Sequence, residues 1–400
     1  MKIPCVAVDV SKGKSFFQGF IDLDKPINKA TPINHDLEGF ELMTKIGDKL
    51  KQEYNDVVYI FEATGIYHKN LQSYLDNRKE KYIILNPLEA AKVRKSHLRS
   101  TKTDKRDCLS IAKAYFLRDY PIHQKQDDIY QELQSMNRHY EYLVKKLRLM
   151  KTHFRTLLDV VFPMFDKLFE NIYTSIPITV LKLFSHPIEL KKRKLESITK
   201  HLVHNTNHRD SYCRKEAIRL KQYATTVVSG VNYDNYLVSL LKSEVIQIEN
   251  QLKELDLCIN KMKTLAENIP LYYQLQTIPG IGEVLAVRLI AEMGDLSRFT
   301  SKWKLVAYAG LDPTVYQSGQ MTGEHLRITK KGNKRLRTLV YLAVSSNIKS
   351  KKPNSIKEYY KKKRQQANPL AHKAALVACA NKLLRIIYSM SKSGTNFHYK

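Results

Sequence analysis

Two acids, Asp104 and Asp107, stand three residues apart in a basic neighbourhood that includes Arg94, Lys95, Arg99, Lys102, Lys105 and Arg106. If Asp104 opens a helix, that spacing puts both carboxylates on one face. Two carboxylates held close repel unless a cation or a proton lies between them. The surrounding Lys and Arg suit a phosphate backbone, so the stretch points to a hard metal ion beside a polyanion. The plain alternative is an Asp N-cap followed by a first-turn acid. What the rest of the chain brings to this pair decides between them.

The elements before the pair supply two more acids. Residues 3–10 read as a buried strand ending in Asp9 and Val10, residues 11–14 as a tight turn, and residues 15–22 as a second strand forming a hairpin. A third short strand is expected near Lys29, a helix over residues 37–50, and a buried strand over residues 56–61 with Glu62 just past its end. A helix over residues 66–75 and a strand over residues 81–85, stopped by Asn86-Pro87, complete the run. The order β-β-β-α-β-α-β-α is that of an RNase H-like α/β domain, in which the ends of the first and fourth strands lie side by side. Asp9, Glu62, Asp104 and Asp107 would then converge from three elements on an oxygen site suited to Mg²⁺ or Mn²⁺. Taken singly, Asp9 also reads as a turn-former and Glu62 as a surface acid or cap.

Composition narrows the partner. Lys plus Arg outnumber Asp plus Glu by 67 to 39, a formal charge of +28 over 400 residues. So large an imbalance on a chain with 43% hydrophobic residues points to a folded protein that meets nucleic acid. Two or three domains are expected at this length. Five scattered cysteines with no paired CxxC argue against zinc and a disulfide framework and fit a reducing cytosol. Asp9 and Lys12 interrupt the first apolar run, so a signal peptide is not expected. No uncharged apolar run approaches the ~18 residues that span a membrane.

From Leu133 the pattern changes. Leu133, Met136, Tyr140, Leu143, Leu147, Met150, Phe154, Leu157 and Val161 step by three and four, and Val238, Leu241, Val245, Ile248, Leu252, Leu255, Ile259 and Met262 repeat the seam. The two helices form either an antiparallel hairpin within one chain or a pairing with a second subunit. Residues 163–235 between them read as a helical insertion carrying the basic run Lys191–Lys194, with no function legible.

Beyond residue 268, Ile278-Pro-Gly280-Ile-Gly282 leads into a helix and is similar to a helix-hairpin-helix, whose glycines bring backbone N–H groups against a DNA phosphate. From Arg327 to Arg364 there are fourteen Lys or Arg and one acid, Glu358. A solvated helix face is the ordinary reading of a charge run; this density favours contact with a nucleic-acid backbone through Lys330, Lys331, Lys334, Arg335 and Arg337. Ser318 shows no chemistry by spacing alone, since Ser-Gly in a loop is usually a turn.

Taken together, Asp9-Val-Ser-Lys, Glu62-Ala-Thr-Gly-Ile-Tyr, Asn86-Pro87 and Lys102-Thr-Asp-Lys-Arg-Asp107 resemble the N-terminal domain of the DEDD insertion-sequence transposases, the insertion-sequence "one-ten" family or bridge recombinases. Ile278-Pro-Gly-Ile-Gly, Ala309-Gly-Leu-Asp-Pro, Gln317-Ser-Gly and Lys331-Gly-Asn-Lys-Arg-Leu-Arg337 resemble that family's second domain. The resemblance spans roughly residues 1–125 and 268–385; the middle matches only as a coiled coil and is longer than the family pattern, and Cys108 stands where a small residue is expected.

The resemblance implies a RuvC-like domain over residues 1–125, a coiled coil with insertion over 126–267, and a mainly helical serine transposase domain over 268–400. It implies Asp9, Glu62, Asp104 and Asp107 as metal-binding catalytic acids and Ser318 as the nucleophile of a covalent serine–DNA intermediate. Lys102, Lys105, Arg106, Gly280 and Gly282 read as nucleic-acid contacts from their own chemistry, and the resemblance adds donor and target DNA as substrates and a structured guide RNA encoded by the element. A homodimer or homotetramer with a site shared between subunits, in a bacterial or archaeal cytoplasm at the nucleoid, completes the expectation. Two other readings are a RuvC-like nuclease or resolvase that uses metal-activated water, and a non-catalytic nucleic-acid-binding scaffold.

Overall fold

The computed structural model describes residues 2–63, 65–85, 104–123, 127–314, 317–318, 321–322 and 327–399, with the backbone alone at 104–106, 317–318 and 321–322. The chain folds as two compact units, residues 1–125 and 126–400.

The first unit is a sheet covered on both faces. Strands β1 (Cys5–Val10), β2 (Lys14–Asp22), β3 (Lys25–Pro26) and β4 (Thr31–Asn34) are followed by helix α1 (Leu37–Tyr54). Then come β5 (Val58–Glu62), α2 (His68–Asn77), β6 (Tyr82–Leu85) and α3 (Asp104–Leu117). The sheet order is β3-β2-β1-β5-β6, with β4 also on β2. β1 runs antiparallel to β2 and parallel to β5, and β5 runs parallel to β6. The expected third strand near Lys29 is two short strands. Asn28 divides them: its side-chain carbonyl accepts the Gly19 N–H at 2.8 Å and its backbone carbonyl accepts the Gln18 amide.

Alternation along the strands sorts the core into two layers. Val6, Val8, Val10, Tyr59 and Phe61 pack with Phe40, Met43 and Leu50 of α1 and Leu71 and Leu75 of α2. Cys5, Ala7, Phe20, Val58, Ile60, Ile83 and Leu85 pack on the opposite face with Cys108, Ile111, Ala112 and Tyr115 of α3. Asp36 starts α1 by accepting the Gly39 N–H at 2.8 Å.

The second unit is helical. Its long helices α4 (Asp128–Val161) and α9 (Tyr236–Ala266) lie antiparallel within one chain. The Cys258 thiol donates to the Met136 carbonyl, and far along the pair His153 meets Glu244 at 3.0 Å. Both seams face inward: Leu133, Leu143, Leu147, Phe154, Leu157 and Val161 are buried with Val238, Leu241, Val245, Ile248, Leu255, Ile259 and Met262. The intrachain hairpin is therefore the arrangement adopted. Between them, α5 (Ser175–Leu183), α6 (Pro187–Lys192), α7 (Leu195–Asn205) and α8 (Asp210–Thr226) fold back on the far end of the hairpin. Gly230 N–H donates to the Val160 carbonyl, and the Tyr223 hydroxyl to that of Pro163.

At the other end sit α10 (Pro270–Gln276), α11 (Glu283–Met293), α12 (Lys302–Ala309), the ribbon β7 (Gln317–Ser318) and β8 (Met321–Thr322), α13 (Lys334–Lys349), α14 (Ser355–Gln365) and α15 (His372–Ser393). One hydrophobic core runs from Leu133 to Met390, so residues 267 and 268 fall inside a continuous unit. All five cysteines are buried and free. Among the described residues, no helix is long and apolar enough to cross a membrane.

Candidate active site and nucleic-acid interface

Strand parity decides where the acids go. Asp9 follows Cys5 and Ala7 on one face of β1, and Glu62 follows Val58 and Ile60 on the same face of β5. The parallel register pairs Val8 with Phe61, so Asp9 and Glu62 occupy the next positions of neighbouring strands at one edge. That face is the one α3 covers. Asp104 is the first residue of α3 and Asp107 lies one turn on. The Cys108 thiol donates to the Phe16 carbonyl at 3.3 Å, and Phe16 is the cross-strand partner of Asp9. The first turn of α3 thus lies over the sheet at the rung of Asp9. Glu62 and Asp107 are 6% and 4% exposed, and Asp9 is half-buried.

Buried carboxylates need a partner of opposite charge or a proton, and carboxylate oxygens are the donors Mg²⁺ and Mn²⁺ take. The donor set therefore fits the expected ion. Among the described residues, no three His, Cys, Asp or Glu side chains are drawn close enough together to hold a metal. The Asp104 side chain lies outside the described residues, as do Asn86, Pro87 and Lys102 and the side chains of Lys105 and Arg106.

In the second unit, Ser318 lies on β7, paired with Met321 of β8. Its side chain lies outside the described atoms; the base of its ribbon is held by backbone hydrogen bonds. Thr314 N–H donates to the Arg327 carbonyl, Thr329 N–H to Asp312, and Lys330 N–H to Gly310. The Thr329 hydroxyl adds a bond to the Asp312 carboxylate at 2.7 Å. Two glycines permit this. A Cβ on Gly310, at φ +65°, would meet Gly332 N at 2.6 Å, and one on Gly332 would meet the Tyr308 carbonyl at 2.2 Å.

The basic segment divides by role. Lys330, Lys331 and Lys334 are exposed. Arg335 pairs through Nε with Glu141 of α4 at 2.7 Å, and Arg337 donates to the Ala309 carbonyl at 2.8 Å. Both contacts brace the start of α13, and Arg335 remains exposed. Sequence reading missed what they belong to. Glu292, fully buried, accepts from Asn137 and Asn333, each at 2.8 Å. Arg288 donates to Asn137 at 3.0 Å and reaches Glu141 at 3.4 Å. Asn333 also caps α13 through the N–H groups of Arg335 and Leu336. Its place in Lys331-Gly-Asn333-Lys was the one available signal, since a helix cap of this type precedes an apolar run.

The Pro-Gly-Ile-Gly hairpin joins α10 to α11. Gly280 takes φ +85°, and a Cβ there would meet the Asn347 backbone nitrogen at 2.5 Å. Asn347 fastens the turn by donating to the Pro279 carbonyl at 2.7 Å. Gly282 caps α11, and a Cβ on it would meet nothing within 4 Å. The hairpin lines a cleft of about 370 Å³ with Ser350 and Lys352 on its other wall. A helix N-terminus beside a lysine is a setting for a phosphate.

Comparison with known proteins agrees with both halves. A DEDD transposase family model of the IS110 type matches residues 6–163, and one described as the transposase IS116/IS110/IS902 family matches residues 272–361, together more than half of the chain. The chain is similar to the insertion element IS116 uncharacterized 44.8 kDa protein of Streptomyces clavuligerus, 25% identical over 72% of this chain and 71% of that protein. It is also similar to the pilin gene-inverting protein of Moraxella bovis, 24% identical over 84% and 81%. The transposase for insertion sequence element IS1111A of Coxiella burnetii is 28% identical over 30% and 37%. With one transposase model matched on the first unit and the start of the second, and another later in the helical unit, the chain belongs to the IS116/IS110/IS902 family of transposases and is a DNA transposase/recombinase.

Proposed function

We propose that the protein cuts and rejoins DNA through a covalent bond to Ser318, with a divalent ion held by Asp9, Glu62, Asp104 and Asp107. The observation that supports this reading is positional: Asp9 and Glu62 are neighbouring end positions of β1 and β5, on the face covered by α3, which carries Asp107 in its first turn. The Ser318 oxygen attacks phosphorus and forms an O–P bond. The bond from phosphorus to the leaving nucleoside oxygen breaks, and that oxygen takes a proton. Attack by the freed or incoming strand's hydroxyl reverses the step and returns Ser318, so rejoining needs no ATP. When bound, the ion offsets the charge that develops on the phosphate. Lys330, Lys331 and Lys334 would hold the strand backbone beside the ribbon.

The family resemblance supports three further parts: a guide RNA that selects donor and target DNA, a dimer or tetramer as the active species, and a site completed by two subunits. RNA guidance has its own check, a non-coding stretch beside the reading frame whose loops complement the insertion junction.

The test is Ser318→Ala assayed for strand exchange and for a protein–DNA adduct on denaturing gels. Both are expected to vanish. Cleavage that survives would overturn the serine mechanism and favour metal-activated water. Asp104→Asn with full activity would remove the metal site and leave only a binding scaffold.

A further inference from the structure

The central helices carry a cationic cleft that neither sequence motif set explains. On α4, Arg148, Lys151 and Arg155 follow one another at helical spacing and line a cleft of about 630 Å³ against Tyr173. Lys151 Nζ lies over the Tyr173 ring, 3.8 Å from its centroid, and the ring packs on Phe154 at 5.9 Å. Arg148 and Arg155 are exposed. The Tyr173 hydroxyl is buried beside Arg155, whose charge it and the more distant Asp166 and Asp159 favour. Asp159 is the one acid among the lining residues, and on the partner helix Glu244 is engaged with His153 and Glu249 with Lys182 and Lys253. Among the described residues, none of the three cations has a carboxylate within ion-pair distance. Burial and the neighbouring Arg155 push the Lys151 ammonium below its ordinary range. A cation held under those conditions is relieved by an anion.

We propose that this cleft binds the phosphodiester backbone of a nucleic acid, giving the long middle region a share in holding the substrate or guide. The spacing fits. Arg148 to Arg155 covers about 10 Å of helix, the axial length of about three phosphates on one strand. Tyr173 comes from the segment between the two helices of the hairpin, so the insertion builds one wall. The inference rests on the family reading only in taking nucleic acid as the ligand, and it does not involve Ser318 chemistry.

The test uses the full chain. Acetylation of Lys151 by an activated ester is read by mass spectrometry alone, with duplex DNA, with RNA of equal length, and with inorganic phosphate. Protection by DNA supports the cleft as a DNA site, and protection by RNA supports it as a guide site. Protection by inorganic phosphate alone, or none at all, overturns it. In parallel, the triple variant Arg148→Gln, Lys151→Gln, Arg155→Gln should bind the protecting nucleic acid about tenfold more weakly, with a salt slope lower by about two to three. An unchanged slope overturns the proposal. Ser318→Ala should retain the Lys151 protection, so failure of the serine mechanism and failure of the cleft are read separately.

Discussion

The Glu292 carboxylate accepts the Asn333 side-chain amide at 2.8 Å, joining α11 to the cap of α13. Through Asn137 the same carboxylate reaches the long helix α4. The start of α13, with the exposed Lys334 on it and Lys330 and Lys331 just before it, is thereby fixed to the hairpin that organises the whole unit. Glu292→Gln keeps the shape but replaces one of the two acceptor oxygens with a donor. It should cost about 1–3 kcal/mol, the penalty of a buried polar atom left unmatched. Urea unfolding followed by circular dichroism checks this, and an unchanged midpoint would remove Glu292 as the link.

The two hairpin glycines should behave differently. Gly280→Ala forces a Cβ into the Asn347 backbone at positive φ, and a loss of more than about 1 kcal/mol is expected in the same unfolding measurement. Gly282→Ala has open space around it and should leave stability within about 0.5 kcal/mol. It should nevertheless weaken binding to a short DNA duplex, because the backbone there would no longer approach a phosphate closely. Full affinity in Gly282→Ala would mean that no phosphate lies against this turn.

Within the basic segment, position predicts kind of effect. Replacing Lys331 and Lys334 with Ala should lower the salt slope of DNA binding by about two and leave stability unchanged. Arg337→Ala should act the other way, removing the bond to Ala309 and lowering stability by about 1 kcal/mol. Titrations across ionic strength, beside thermal melts, separate the two. If Arg337→Ala changed only the slope, its bond to Ala309 would be incidental.

Removal of divalent ions by a chelator should abolish strand cleavage while DNA binding survives. Mn²⁺ or Mg²⁺ should restore it. Glu62→Gln should fold as the parent does, since the shape is kept, and lose cleavage by at least about a hundredfold. Cleavage by Glu62→Gln at parental rate would place the ion elsewhere.

Much of this molecule was local and therefore legible in the sequence. Asp104 opens α3 because an acid suits a helix start, and the apolar runs marked Asp9 and Glu62 at the ends of their strands, although Glu62 proves to be the last residue of β5 rather than just past it. The three-and-four stepping of apolar residues marked the two long helices and the face each buries. Periodicity carries no record of which surface that face meets, so only the folded chain showed the seams of α4 and α9 closing on each other. It could not show that Asn28 would divide a strand by inserting its amide between β2 and its neighbour. Charge counts gave Arg335 and Arg337 the same weight as Lys331. The tertiary structure separated them, because an arginine beside Glu141 or the Ala309 carbonyl is held by a partner that lies far away in sequence. Residue types and spacing determined the chemistry available to this protein; long-range packing decided which of those residues stand together.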